Sequence, residues 1–170
     1  ASGGAIWVLK LSSSGSIQWQ KFYDAGATVA VGYCIRQTAD SGYIVGGVTR
    51  SLGAGDDDFW LLKLTSDGSI QWQKTYGGSD HDSLITDKSM TQTKDGGFAF
   101  TGITYSFGDT ARGLLVKLDG GGNVQWQKTY GGSFIGAAYS LKQADNEEYI
   151  LVGGGSHVGE KNGLFALRVG

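Results

Sequence analysis

Residues 67–78 read DGSIQWQKTYGG, and the chain carries that segment more than once. An earlier version, SGSIQWQKFY, occupies 14–23 and a later one, GGNVQWQKTYGG, occupies 121–132, so Trp19, Trp72 and Trp126 stand 53 and 54 residues apart. The basic residue inside the apolar run just upstream keeps nearly the same step, at Lys10, Lys63, Lys117 and Arg168. Gln37, Gln92 and Gln143 form a third series, each followed within three residues by an aspartate: Asp40, Asp95 and Asp145. Markers that advance together define an internal repeat of about 53 residues, the signature of a repeat architecture.

Outward from residues 67–78, one period holds four short strand candidates: Tyr33 to Thr38, Tyr43 to Thr49, Phe59 to Leu64 and Ile70 to Tyr76. Clusters of Gly, Asp and Ser separate them, at 39–42, 50–58, 65–69 and 77–78. Short β-rich runs punctuated by turn residues predict a meander of antiparallel hairpins. The third run, FWLLKL at 59–64, is apolar at nearly every position. A strand half-exposed on a sandwich would alternate apolar with polar side chains, so this one is expected in a sheet covered on both faces.

Composition agrees with that reading. Among 170 residues there are 30 Gly and no Pro, 12% are aromatic and 40% hydrophobic, which suits a β-rich chain with many tight turns and enough apolar matter for a core. The formal charge is −2 and basic residues form no stripe, which argues against nucleic acid as the main partner. No stretch reaches the roughly eighteen apolar residues of a membrane-spanning helix. Cys34 is the sole cysteine, so no intrachain disulfide is possible, and between Tyr33 and Ile35 it reads as a small buried filler. The chain opens without Met and runs at once into AIWVLKL, as expected of a processed product or a piece of something longer.

The expected fold is therefore all-β, a single array of β-propeller blades, each a four-stranded antiparallel meander. Propeller repeats run from about 40 to 50 residues, whereas leucine-rich repeats are far shorter and immunoglobulin-like domains need about a hundred. The units fall near 1–24, 25–77, 78–131 and 132–170, the first and last of them partial. In phase, the chain starts on a third strand (Ile6 to Leu11) and a fourth (Ile17 to Tyr23), and it stops on another third strand (Leu164 to Val169). Propellers close with about four to eight blades, so about three blades plus partial ones make an incomplete ring. Either the remaining blades belong to a longer parent chain, or copies join so that the leading strands of one complete the last blade of the next.

On these residues the chain resembles the propeller-forming repeats of long secreted and cell-surface proteins of bacteria and archaea, whose unit looks like DGGYIVGG, DFWLLKL and DGSIQWQKTYGG in succession. The resemblance covers essentially the whole chain. It implies an extracellular or cell-surface setting and a scaffold whose partners are other proteins, further copies of itself or the remaining blades of a longer chain. A narrower similarity is to the tryptophan-docking motif of quinoprotein propellers, G-x-x-x-W, matched by Gly15 with Trp19, Gly68 with Trp72 and Gly122 with Trp126. The Ala, Asp and Thr that precede the glycine in that motif are absent. The similarity therefore implies packing of the three tryptophans between neighbouring blades, and no quinone.

Lys10, Lys63, Lys117 and Arg168 interrupt apolar strands, where a buried cation costs several kcal/mol unless paired. A structural role at the blade interface is expected for all four, with a carboxylate or an aromatic face as partner. Asp56, Asp57 and Asp58 precede the third strand and offer oxygens to Ca²⁺, which takes six to eight. The matching loops, GDTAR and GEKN, lack the cluster, so a solvated turn without cofactor is the expectation and calcium the alternative. Asp80 and Asp82 flank His81 and invite a metal or acid-base reading, although one short loop supplies too few ligands for a closed site. His157 belongs to no recognised metal or catalytic motif. Tyr76, Tyr105, Phe107 and Tyr130 are candidate stacking platforms for a glycan, or simply loop packing between blades. There is no G-x-S-x-G elbow, no H-E-x-x-H and no phosphate-binding loop. The leading expectation is thus a non-catalytic propeller module for protein contact or self-assembly. A glycan-binding propeller lectin, and a propeller hydrolase or lactonase with a metal at the channel mouth, are the alternatives.

Overall fold

Runs of β-branched and aromatic residues broken by Gly and Asp leave no helix among the described residues, which in the computed structural model are 4–26, 29–108, 110–131, 134–157 and 163–169. β1 (Ala5–Leu11) and β2 (Ile17–Asp24) pair as a hairpin that forms the first sheet. β3 (Ala30–Gln37), β4 (Tyr43–Thr49), β5 (Asp58–Leu64) and β6 (Ile70–Tyr76) form the second, in sequence order. The third sheet holds β7 (Asp82–Ser83) and β8 (Met90–Gln92), both on one edge of β9 (Phe98–Thr104), followed by β10 (Arg112–Leu118) and β11 (Val124–Tyr130). The fourth holds β12 (Phe134–Gln143), β13 (Tyr149–His157) and β14 (Gly163–Val169). All pairings are antiparallel, and no sheet closes on itself.

The hairpins repeat down to their irregularities. The ladder shifts register between Lys10 and Leu11, between Lys63 and Leu64, and between Lys117 and Leu118. Each shift opens a turn closed by the same two backbone bonds, for example Thr65 N–H to Ser69 O at 2.9 Å and Gly68 N–H to Thr65 O at 3.0 Å. Gly15, Gly68 and Gly122 occupy the left-handed position, with φ of 80°, 79° and 76°, which is why glycine recurs there. The first strand is where the third sheet departs from the expected meander. A one-residue bulge interrupts β3 at 32–34 and β12 at 138–140, but in the third sheet the chain leaves the ladder from 84 to 89. Thr86 and Ser89 there bond to nearby backbone and to each other, offering that segment an alternative to ladder hydrogen bonds. The excursion ties three sheets together: Arg36 of β3 donates to Asp87 O, and Leu141 N–H of β12 donates to Lys88 O at 3.0 Å.

Successive sheets stack face to face, and the third strands β5 and β10 each serve two interfaces by the period-2 alternation of their side chains. Trp60, Leu62 and Leu64 meet Ile6, Val8 and Tyr23 of the first sheet, while Phe59 and Leu61 meet Phe98, Phe100, Leu114 and Val116 of the third. A last cluster joins Ala99 and Leu115 to Leu141, Tyr149 and Leu151 of the fourth sheet. Burial on both faces therefore explains why FWLLKL shows no polar alternation.

Candidate functional site

The cations of the third strands are the first chemistry to place. Lys63 is buried, and its Nζ lies 2.8 Å from Asp40 Oδ2 and 3.2 Å from Leu64 O. Asp40 sits in the turn joining β3 to β4, where the Thr38 hydroxyl and the Gly42 N–H also donate to it. The Lys63 hydrogen bond, then that of Thr38, holds the Asp40 carboxyl at about 2. Lys117 repeats the arrangement with Asp95 at 2.7 Å and Leu118 O at 2.9 Å, and Asp95 is likewise lowered to about 2.

In the fourth sheet the cation, Arg168, is exposed and is paired differently. The position of Asp40 and Asp95 is Asn146 there, and Asp145 stands one residue earlier, fully exposed and 3.5 Å from Lys94 Nζ. The carboxylate comes instead from Glu148, which pairs with Arg168 and occupies the position of Gly42 and Gly97. A Cβ at Gly42 would lie 2.7 Å from Lys63 Nζ, so the glycine leaves space for the lysine head. Aspartate with glycine and lysine has thus become asparagine with glutamate and arginine, a joint exchange visible once the repeats are aligned. In the first sheet no turn of this kind precedes β1 among the described residues, and Lys10 lies over the Tyr43 ring at 5.8 Å.

The tryptophans form a second series. Trp19 Nε1 donates to Ser66 O at 3.1 Å, Lys21 Nζ to Ser69 Oγ at 3.2 Å, and Tyr23 OH to Gly68 O at 2.6 Å. One sheet on, Trp72 donates to Gly120 O, Lys74 to Asn123 Oδ1 and Tyr76 to Gly122 O. β2 and β6 therefore each grip the turn between the third and fourth strands of the next sheet. The rings also make edge contacts with the second strand of that sheet: Trp19 with Tyr43, Trp72 with Phe98 and Trp126 with Tyr149, at 5.9, 5.9 and 5.6 Å. The glutamines point the other way. Gln92 Oε1 accepts from Ala39 N and Gln143 Oε1 from Lys94 N, both at 2.9 Å, so each reaches back to the turn of the preceding sheet. Sequence alone marked Gln37, Gln92 and Gln143 as repeated without revealing this bridging role.

The conspicuous acidic residues scatter among structural contacts. Asp57 accepts from Arg50 Nε at 2.5 Å and lies 2.8 Å from His81 Nδ1, and the Arg50 hydrogen bond lowers its pKa. Asp58 is buried beside Gly55 N–H, and burial, with the charge of Asp82 behind it, raises its pKa. Asp82 is buried too, accepting from Gly78 N–H and from the Ser106 hydroxyl, with Oδ1 lacking a partner. Asp56 and Asp80 are exposed. Among the described residues no three His, Cys, Asp or Glu side chains gather where a metal ion would be held. The matching loop at 159–162 and residue 109 lie outside the described residues.

The aromatic candidates are not brought to one platform. Tyr76 is partly buried against Phe100 at 5.3 Å, and Phe107 packs on the same core. Tyr105 is exposed and tilted against His81 at 5.9 Å. Tyr130 has its hydroxyl buried without a hydrogen-bond partner.

No family model matches the chain, and no curated protein matches it. A crystal structure of a Bacteroides caccae protein of unknown function is similar in fold, with a TM-score of 0.51 at 12% identity. The likeness covers 94% of this chain and 52% of that one, so the chain spans about half the length of the solved protein.

Proposed function

We propose that the chain is a non-catalytic β-propeller module of a secreted or cell-surface protein, a scaffold for protein contact or self-assembly. Its sheets are read as blades because the second is a four-stranded meander, the third repeats it with its first strand split into β7 and β8, and each covers the apolar face of its neighbour. One observation carries the reading. Trp7, Leu9 and Leu11 of β1 are 54%, 36% and 48% exposed, whereas Trp60, Leu62 and Leu64, at the same repeat positions in β5, are 0% exposed. An apolar surface that is an interface everywhere else in the array is a docking surface where it stands open. The repeat resemblance supports the extracellular setting.

Dye binding and sedimentation test this reading. The chain is expected to bind a hydrophobic dye and to associate, and Trp7→Ser with Leu9→Ser is expected to weaken both. A monodisperse monomer that ignores the dye would overturn it.

A further inference from the structure

We propose that the β1–β2 hairpin of one copy completes the fourth sheet of a second copy in place of β14, and that the reciprocal exchange closes a dimer. This rests on the module reading above and names its partner. The two ends of the chain are complementary, residue by residue.

At one end is a set of donors without acceptors among the described residues. Trp126, Lys128 and Tyr130 of β11 match the trios Trp19, Lys21, Tyr23 and Trp72, Lys74, Tyr76, each of which is engaged by a turn of the next sheet. Past β14 the described residues include no such turn. The Tyr130 hydroxyl is buried and, among the described residues, unpartnered, and a cavity of about 610 Å³ opens at Trp126 and Lys128, lined also by Glu148, Tyr149 and Val169. At the other end is a turn without a tryptophan. Residues 12–16 adopt the same closed turn, with Ser12 N–H to Ser16 O at 2.8 Å, Gly15 N–H to Ser12 O at 3.0 Å and φ of 80° at Gly15. A Cβ at Gly68 would meet the Trp19 ring at 3.0 Å, and one at Gly122 would meet Trp72 at 3.0 Å, but one at Gly15 meets nothing within 4 Å. Seated together, Trp126 would donate to Ser13 O, Lys128 to Ser16 and Tyr130 to Gly15 O of the partner copy.

The same join fills the gap beside β1. Its free edge and β3 bound a groove of about 450 Å³, lined by Ile6 to Leu9 and Gly32 to Arg36. Ile35 is 42% exposed there, against 2% and 7% for Met90 and Leu141 at the same repeat position. β12 and β13 are the two strands that a complete sheet would place in it, by strand addition to an open edge. Gln37 would then find the Asp145 N–H, which matches the Ala39 and Lys94 donors that serve Gln92 and Gln143. Because β13 pairs Ile150 with Arg168, Lys10 would stand opposite Ile150 and meet Glu148. Trp7, Leu9 and Leu11 would turn onto the third sheet, where Val169 packs now.

Each copy then contributes its second and third sheets and shares two composite ones, so a dimer holds six sheets, within the range of closed rings. Head-to-tail contacts of this kind end in a ring when the rotation closes.

Lys10→Cys and Ile150→Cys chains, each also Cys34→Ala, would be mixed and oxidised while the unmodified chain is sized across concentrations. Opposed residues of an antiparallel pair lie within disulfide reach, so cross-linking between unlike chains and a two-chain species are expected. Tyr130→Phe, which removes a hydroxyl with no partner in the single chain, is expected to weaken dimerisation about fivefold to tenfold while leaving the monomer folded. An assembly that forms without the Lys10–Ile150 cross-link, or a monomer at every concentration that still binds dye, overturns the exchange and leaves the module reading in place. A monomer that also ignores the dye overturns both.

Discussion

Lys63 is buried and its ammonium lies 2.8 Å from the carboxylate of Asp40, which is half-exposed. The asymmetry sets the expected mutational response. Asp40→Ala strands a cation among apolar side chains with Leu64 O as its remaining partner, whereas Lys63→Met leaves a carboxylate that water can reach. Asp40→Ala is expected to cost about 1–3 kcal/mol, the range for a buried donor deprived of its partner, toward the lower end because solvent screens the pair. Lys63→Met should cost less. Denaturant midpoints of the two variants check the order.

Acid should destabilise the chain through the same pairs. Asp40 and Asp95 are held at about 2 by Lys63 and Lys117, below the ordinary carboxylate value near 3.9. The unfolded chain therefore binds more protons over that interval, and stability rises with pH. The contribution is present above the unfolded value and is lost as pH falls toward about 2. Unfolding curves collected down that range should show a slope that shrinks in the Asp40→Asn, Asp95→Asn double variant.

Asp58 titrates in the opposite sense. Burial raises its pKa, so its ionisation opposes folding and stability falls as pH rises through the raised value. Asp58→Asn keeps an acceptor for Gly55 N–H and sheds the charge facing Asp82. Its thermal midpoint at neutral pH is expected to equal or exceed that of the parent, and a lower one would count against this account.

Two glycines with left-handed φ should respond differently to a side chain. At Gly68 the φ is 79° and a Cβ would press on the Trp19 ring, so Gly68→Ala is expected to cost about 1–2 kcal/mol or more. At Gly96 the φ is 81° but nothing lies within 4 Å of a Cβ. Ser41 and Glu147 occupy the same repeat position at φ of 65° and 68°, so Gly96→Ser should be the milder change. Equilibrium unfolding of the two variants gives the comparison.

Cys34 offers a probe of opening. Burial pushes its thiol up to about 11, and the side chain is covered between β3 and the third sheet. Reaction with a disulfide reagent is expected to be slow in the native chain and to rise steeply with denaturant, following unfolding. Fast labelling without denaturant would show that β3 opens locally.

Much of this architecture was written locally. The step of the tryptophans and of the third-strand cations, the Gly-rich turns and the unbroken apolar run of FWLLKL depend on nearest neighbours and on the alternation of side chains along a strand. Strand order and phase could therefore be read from residues 1–170 alone. The broken first strand at 84–89 could not, because its hydroxyl-to-backbone turns are favoured only where Arg36 and Leu141 wait on the flanking sheets.

Partner choice was settled through space. That Glu148 serves Arg168, that Gln92 and Gln143 reach back one sheet, and that Trp72 grips Gly120 O all join residues about twenty to fifty positions apart. Asp57, Asp58 and Asp82 look alike as letters, yet one is lowered by Arg50 and another raised by burial. The same holds for the most consequential contrast. Trp7 and Trp60 sit in nearly identical strands, and one is exposed while the other is buried, since burial is decided by the sheet that lies against a strand and not by the strand's own residues.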